Sequence, residues 1–269
     1  MSKRTIYSLI TIFLVCGIYV FEAYLTKKEQ EAIVKNGLLE KELTNTFFLP
    51  TSTTGQVVHH HGYSLSYSEP NEQAEWVAYE LKENQLVNSN FKRPYFEIDS
   101  TVKTSAAHWR NYKRSGYDRG HLCPAADREF DYNLYVETFL TSNISPQEHE
   151  FNAGVWNRLE QKIRYWAKRY RGVYVITGGI LKGNMKTIGE ERVSVPNQFY
   201  KIVMDYNGGN PKALAFLIPH ENSTRPLYNF VVSIDSVETL TGIDFFPELE
   251  DTIEDKLEAS NSYKNWYFN

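Results

Sequence analysis

The sequence predicts an α+β fold, one domain with a mostly antiparallel central sheet and helices packed on it. Three observations predict it. Runs rich in β-branched and aromatic residues ("GVYVITGGI", "FYKIVMDY", "KALAFLIP" and "LYNFVVSID") follow one another in the second half of the chain. One stretch, "NAGVWNRLEQKIRYWAKRY" at 152–170, has the apolar spacing of a long helix. No internal repeat or low-complexity tract competes with that reading. The 269 residues, 14% of them aromatic and 19 of them Tyr, are those of a globular chain with room for one large domain and a short appendage.

The elements read in order as follows. Residues 1–25, "MSKRTIYSLITIFLVCGIYVFEAYL", place Lys3 and Arg4 before an apolar run from Ile6 to Phe21. That is a basic n-region and an h-region. No small-x-small cleavage site follows, which favours an uncleaved signal anchor over a cleaved signal peptide. The rest of the chain is then expected to be exported, and either membrane-anchored or periplasmic or secreted. Residues 26–50 carry a charged segment with helical spacing, read as a stalk or linker, and the domain proper is placed at 51–269. Within it "YSLSY" (63–67) reads as a strand and "QAEWVAYELKENQL" (73–86) as a helix. "YFEID" reads as a strand, and Gly116 to His121 as strand and turn. "SVETLTG" reads as a short helix closed by Gly242.

The net charge of −4 offers no global hint of a polyanionic partner. A local basic stripe can still act alone. The helix at 152–170 carries one, with Arg158, Lys162 and Arg169 on one broad face. Such residues contact phosphates without reading sequence, or pair along a solvated helix face. Cys16 and Cys123 lie in unrelated contexts, so no disulfide is expected. Cys123 reads as a small buried residue. His59, His60 and His61 cannot all turn to one metal, because consecutive side chains in an extended chain diverge.

"SGYDRGHLCPAAD" (115–127) carries the chemistry. A neutral imidazole at His121 can take a proton from water. Arg119, two residues back, shares its face if the segment is extended. A guanidinium there suits a phosphodiester, binding the phosphate and offsetting the charge that builds in the transition state. No HxxxH or CxxC pair is present, so a protein-built zinc site is not expected. A hard ion such as Mg²⁺ needs only one or two protein oxygens. Asn152 is a candidate ligand, or else a plain helix N-cap. Glu160 follows on the same side of that helix, with Arg164 four residues on. His108 and His149 are spare bases, His149 being the one near Asn152.

Together these residues resemble the DNA/RNA non-specific endonucleases, the ββα-metal (His-Me finger) nucleases that include mitochondrial endonuclease G. The resemblance runs from "GYSLSY" to "TGIDFFPELED", with "DRGH" at 118–121, then "TSNISPQ" and "NAGVWNRLE" in the family's order. It implies an α+β ββα-metal nuclease domain that hydrolyses phosphodiester bonds of DNA and/or RNA to 5′-phosphate ends. His121 would be the general base and Asn152 the single protein ligand of a hydrated Mg²⁺, or Mn²⁺ in its place. Arg119 would lie near the scissile phosphate. Glu160 would hold a metal-bound water, and Asn143 would shape the site. Arg93 and Arg164 match arginines that serve the phosphate, and Arg158 joins them through the basic stripe. Cys123 departs from the small apolar residue of many relatives. Homodimers occur in the family, though nothing in this sequence shows an interface. A catalytically inactive nucleic-acid-binding or surface protein on the same fold, and a small-substrate phosphodiesterase, are the alternatives.

Overall fold

A computed structural model of the chain describes residues 46–206 and 210–268. The anchor expected at 1–25, and the stalk expected at 26–50 up to its last five residues, lie outside the described residues. Residues Phe48–Asn269 form one compact unit.

Seven strands build the central sheet: β1 (Val57–His59), β2 (Ser64–Ser68), β3 (Gln73–Lys82), β6 (Gly172–Gly179), β9 (Gln198–Asp205), β10 (Lys212–Pro219) and β11 (Val231–Val232). They lie in the order β1-β2-β3-β6-β9-β10-β11, and every neighbouring pair is antiparallel. Two small ribbons stand outside the sheet. One pairs β4 (Asp118–His121) with β5 (Ile144–Gln147), and the other pairs β7 (Lys186–Ile188) with β8 (Val193–Val195). Among the described residues the α-helices are α1 (Tyr132–Glu137), α2 (His149–Phe151), α3 (Asn157–Arg169), α4 (Ile234–Thr241) and α5 (Asp251–Glu258). A π-helical segment, Asn152–Trp156, joins α2 to α3.

The expected β6, β9 and β10 form where their β-branched runs stand, and α4 ends on Gly242 with φ 75°, the left-handed cap that glycine adopts without strain. Helix α3 packs on β3 and β6, burying Leu159, Ile163, Trp166 and Ala167. Those four recur at the three- and four-residue spacing of one helix face.

Three expectations are corrected. The helix expected over 73–86 is instead the strand β3 and a following 3₁₀ turn. β3 is central, flanked by β2 and β6, and buried on both faces, so its apolar residues do not alternate. Two of its polar members are buried too: Gln73 donates to the Ser194 carbonyl, and Glu75 accepts from Ser66 and from the Thr53 N–H. That mixture of buried polar and apolar side chains imitates helical spacing. "YFEID" forms no strand; Glu97 makes one isolated bridge to Leu140. The first four residues of "LYNFVVSID" are a 3₁₀ turn, Leu227–Phe230, before the two residues of β11.

Candidate active site

The β4–β5 ribbon presents the DRGH segment in extended form, with His121 opposite Ile144 and Asp118 opposite Gln147. Arg119 and His121 therefore share one face. Gly120 faces the other way, where a Cβ would lie 2.1 Å from Gln147 Oε1, so only glycine lets the Gln147 side chain cross there.

Phe96 gathers three of the residues singled out from the sequence. The Arg119 guanidinium lies 5.2 Å and the Arg93 guanidinium 5.6 Å from the centre of its ring, and the His121 ring lies 5.6 Å away. Phe139 closes the same pocket, edge-on to His121 at 5.0 Å and beneath Arg93 at 5.5 Å. Aromatic faces hold cations and leave their N–H groups free for an anion. Among the described residues Arg119 gives only a long bond, 3.4 Å, to the Trp109 carbonyl, and its buried Nε has no partner. His121 Nε2 is likewise buried without a partner. Burial, and then the Arg93 charge, push the His121 pKa down to about 3. The imidazole is therefore neutral across the physiological range.

Asn152 is not an N-cap. The helical path begins three residues earlier, at His149, and Asn152 has helical backbone angles (φ −59°, ψ −52°). Glu148 stands at the cap position, and its N–H donates to His220 Nε2 at 2.7 Å. The Asn152 side chain is thus free for another task. Its Nδ2 donates to Asp118 Oδ2 at 3.1 Å, which fixes the orientation of the amide. His149 Nδ1 meets the same carboxylate oxygen at 2.9 Å, and that partnership raises the pKa of the exposed imidazole. The π-helical turn that starts at Asn152 includes Gly154, with φ −96° and ψ −106°, against which Asn222 packs. Such bulges re-aim side chains and recur at functional sites.

Glu160 and Arg164 lie along α3 over a buried polar cluster. Arg164 Nη1 pairs with Asp127 Oδ1 at 2.7 Å, and Tyr79 donates to the other oxygen at 2.8 Å. Lys201 is fully buried, 4.6 Å from the centre of the Trp156 ring, and reaches the Leu122 carbonyl at 3.5 Å. Burial pushes the Glu160 pKa up to about 7, against the opposing charges of Lys201 and Arg164. Asn143 is fully buried and braces the turn after His121. It accepts from the Cys123 N–H and donates to the Cys123 and Thr138 carbonyls, at 2.8 to 3.0 Å. Cys123 is a fully buried free thiol with its pKa pushed up to about 12 by burial, which disfavours the reactive thiolate.

The basic stripe has partners within the chain. Arg158 donates to the Ser223 and Arg225 carbonyls, Lys162 to the Phe268 carbonyl, and Arg169 lies 3.4 Å from the centre of the Tyr267 ring. This face of the helix holds the 223–225 loop and the C-terminal segment, so Arg158 is not brought to the Phe96 pocket by any of these contacts. The three consecutive histidines diverge as expected, His59 to Ser64, His60 to Asp99 and His61 to Glu137.

Four residues of the site carried no expectation: Asp118, Phe96, Phe139 and Lys201. Asp118 stood inside the motif, and an acid adjoining an arginine and a histidine was the one signal available. The other three act through contacts distant in sequence.

This fold is of the ββα-metal (His-Me finger) class. Residues 43–252 match the family model "DNA/RNA non-specific endonuclease", and the chain belongs to that family. It is 32% identical to the human mitochondrial nuclease EXOG over 250 residues, covering 86% of this chain and 66% of that protein. To human mitochondrial endonuclease G it is 31% identical over 202 residues, covering 70% and 68%. A nuclease of Nostoc sp. is 32% identical over 212 residues, covering 73% and 75%. The solved structure of EndoG in complex with EndoGI superposes with a TM-score of 0.68 at 29% identity, covering 72% of this chain and 86% of that one. The chain spans 59% of the length of EXOG from Danio rerio and 66% of the human protein.

Proposed function

We propose that this chain is a metal-dependent, sequence-nonspecific endonuclease that hydrolyses phosphodiester bonds of DNA and/or RNA and leaves 5′-phosphate ends. One observation carries the proposal: an unpartnered, neutral imidazole and two guanidinium groups meet around the ring of Phe96. The His121 imidazole accepts the proton of the attacking water. Arg119 and Arg93 bind the phosphate and offset the charge that grows on its oxygens. Backbone phosphate is the whole of what these groups recognise, which supports indifference to base sequence.

The residues fit a hard, hydrated divalent ion such as Mg²⁺ or Mn²⁺. Asn152 commits its Nδ2 to Asp118, which leaves Oδ1 as an oriented oxygen ligand, and one such ligand suits an ion that keeps most of its waters. Bound there, the ion would stabilise charge at the phosphate and the leaving oxygen. Glu160, whose pKa burial raises, would exchange hydrogen bonds with a metal-bound water. Asn143 acts at one remove, by fixing the turn that follows His121.

The test is cleavage of plasmid DNA, single-stranded DNA and RNA by wild type and by His121→Ala, with Mg²⁺ and with EDTA. Cleavage by wild type in Mg²⁺, lost in EDTA and reduced on the order of 10²–10⁴-fold in H121A with DNA binding retained, supports the proposal. Binding without cleavage by wild type would leave a nucleic-acid-binding protein on a nuclease fold. Turnover of small diesters alone would make it a phosphodiesterase. The n-region and h-region at 1–25 support export, with the domain membrane-anchored or released, and cell fractionation distinguishes the two.

A further inference from the structure

The two last helices and the loop between them bring five carboxylates into one neighbourhood. Asp235 and Glu238 stand on α4, Asp244 follows in the loop, and Glu254 and Glu258 stand on α5. Two overlapping triads result. Asp235, Glu238 and Glu258 each place a ligand oxygen within 4.8 Å of the others, and so do Asp244, Glu254 and Glu258. Glu258 belongs to both. It is only 8% exposed, and among the described residues its Oε1 has no hydrogen-bond partner. Glu238 is held by the Phe245 N–H at 2.8 Å. Among the described residues, no lysine or arginine forms an ion pair with any of the five.

A buried carboxylate with no cation beside it is costly, and four more acids around it raise the cost; the one side-chain hydrogen bond given for Glu258 comes from another acid, Glu238. We propose that Glu258 is the shared ligand of a divalent-cation site of the calcium class, closed by Asp235 and Glu238 on one side and by Asp244 and Glu254 on the other. Oxygens bound to one Ca²⁺ at about 2.3–2.6 Å lie up to about 5 Å apart, which matches these triads. Ca²⁺ takes six to eight oxygens in flexible geometry, whereas Mg²⁺ demands a tighter octahedron. Asp235 and Asp244 are exposed, so water has access to complete the shell. Burial and the four surrounding carboxylates push the Glu258 pKa up to about 9, so a proton competes for the same position.

The site shares no residue with the catalytic centre and does not depend on the nuclease proposal. The Asp244 carbonyl accepts from the Thr51 N–H, and the Asp244 N–H donates to Thr51 Oγ1, both at 2.9 Å. A cation here would therefore clamp both C-terminal helices to the start of the domain.

The experiment uses the full chain carrying Asn152→Ala, which removes the other candidate metal ligand. After chelation, Ca²⁺ is titrated by calorimetry and its effect on Tm recorded at neutral pH. Saturable binding and a Tm rise of a few degrees at about a hundredfold excess over Kd are expected. Glu258→Gln should abolish both. The double change Asp244→Asn with Glu254→Gln, at exposed and half-exposed positions, should weaken binding at least about tenfold. No saturable binding in the Asn152→Ala protein would overturn the proposal. So would binding that survives Glu258→Gln, or a Tm that responds to pH and not to Ca²⁺, the sign of a shared proton in place of the ion.

Discussion

The Asp118 carboxylate, at the start of the DRGH strand, accepts a hydrogen bond from the Asn152 side chain at 3.1 Å, 34 residues further on. This bond decides which end of the amide faces away from the strand. With Nδ2 engaged, Oδ1 is presented as an oxygen ligand; without the bond the amide can rotate and present either atom. Asp118 is thus a positioning residue for the metal ligand. Asp118→Ala is expected to weaken divalent-ion affinity about 10- to 100-fold. Titration of nuclease activity against Mg²⁺ should show the half-saturating concentration moving up, with activity partly restored at high Mg²⁺. An unchanged Mg²⁺ dependence would remove Asp118 from this role.

His121 makes a prediction about pH with a definite sign. Its folded-state pKa of about 3 lies below the ordinary value of 6.5. The unfolded chain therefore binds a proton that the folded protein refuses, and stability rises with pH between those values. Full stability is present above about pH 6.5 and is lost as pH falls toward 3. At pH 5 the penalty from this residue is on the order of 2 kcal/mol. Burial is the larger cause and Arg93 the second, so Arg93→Gln should raise the pKa and still leave it below 6.5. Following the imidazole Cε1–H signal by NMR, with denaturant unfolding at pH 5 and pH 7, reads both quantities. A His121 that titrates near 6.5 in the wild type would contradict the burial.

What the sequence disclosed and what it hid divide along contact distance. Arg119 and His121 could be placed on one face because a two-residue spacing in an extended segment decides it locally. Helix α3 and strands β6, β9 and β10 were legible because their periodicity is carried by adjacent residues. The strand β3 was not, because Gln73 and Glu75 find buried partners at Ser194 and Ser66, and no local rule foresees a polar residue satisfied from afar. The start of the helix was misplaced for a similar reason. Glu148 is a poor N-cap by type, and its N–H is met by His220, 72 residues away. Arg158 looked free to meet a phosphate until the 223–225 loop came to it.

Lys201 and Glu160 are expected to be energetically coupled. Lys201 is fully buried, and burial lowers its pKa while Glu160 opposes that shift. Lys201→Met removes a cation from beside Glu160 and Asp127 and should destabilise the domain by about 3–5 kcal/mol, because it leaves buried acids less compensated. Adding Glu160→Gln should recover part of that loss. The double-mutant cycle from denaturant unfolding measures the coupling, expected at about 0.5–3 kcal/mol. Strict additivity would mean that the two side chains do not sense each other.

Asn143 separates positioning from catalysis. Its amide makes three buried hydrogen bonds, all to the backbone, two of them to Cys123 just past His121. Asn143→Ala orphans one buried N–H and two buried carbonyls at once. Each unsatisfied group costs about 1–3 kcal/mol, so a loss on the order of 3 kcal/mol or more is expected. The turn after His121 would then relax, and the imidazole with it. For a residue that only positions the base, kcat should fall while KM for DNA changes little, and the Mg²⁺ dependence should stay that of wild type. Asn143→Asp keeps the acceptor for the Cys123 N–H and loses both donors. It should therefore recover only a minor share of stability, with kcat following the refolded fraction. A variant that keeps wild-type stability and loses only KM would instead place the Asn143 amide in contact with substrate, which its complete burial forbids.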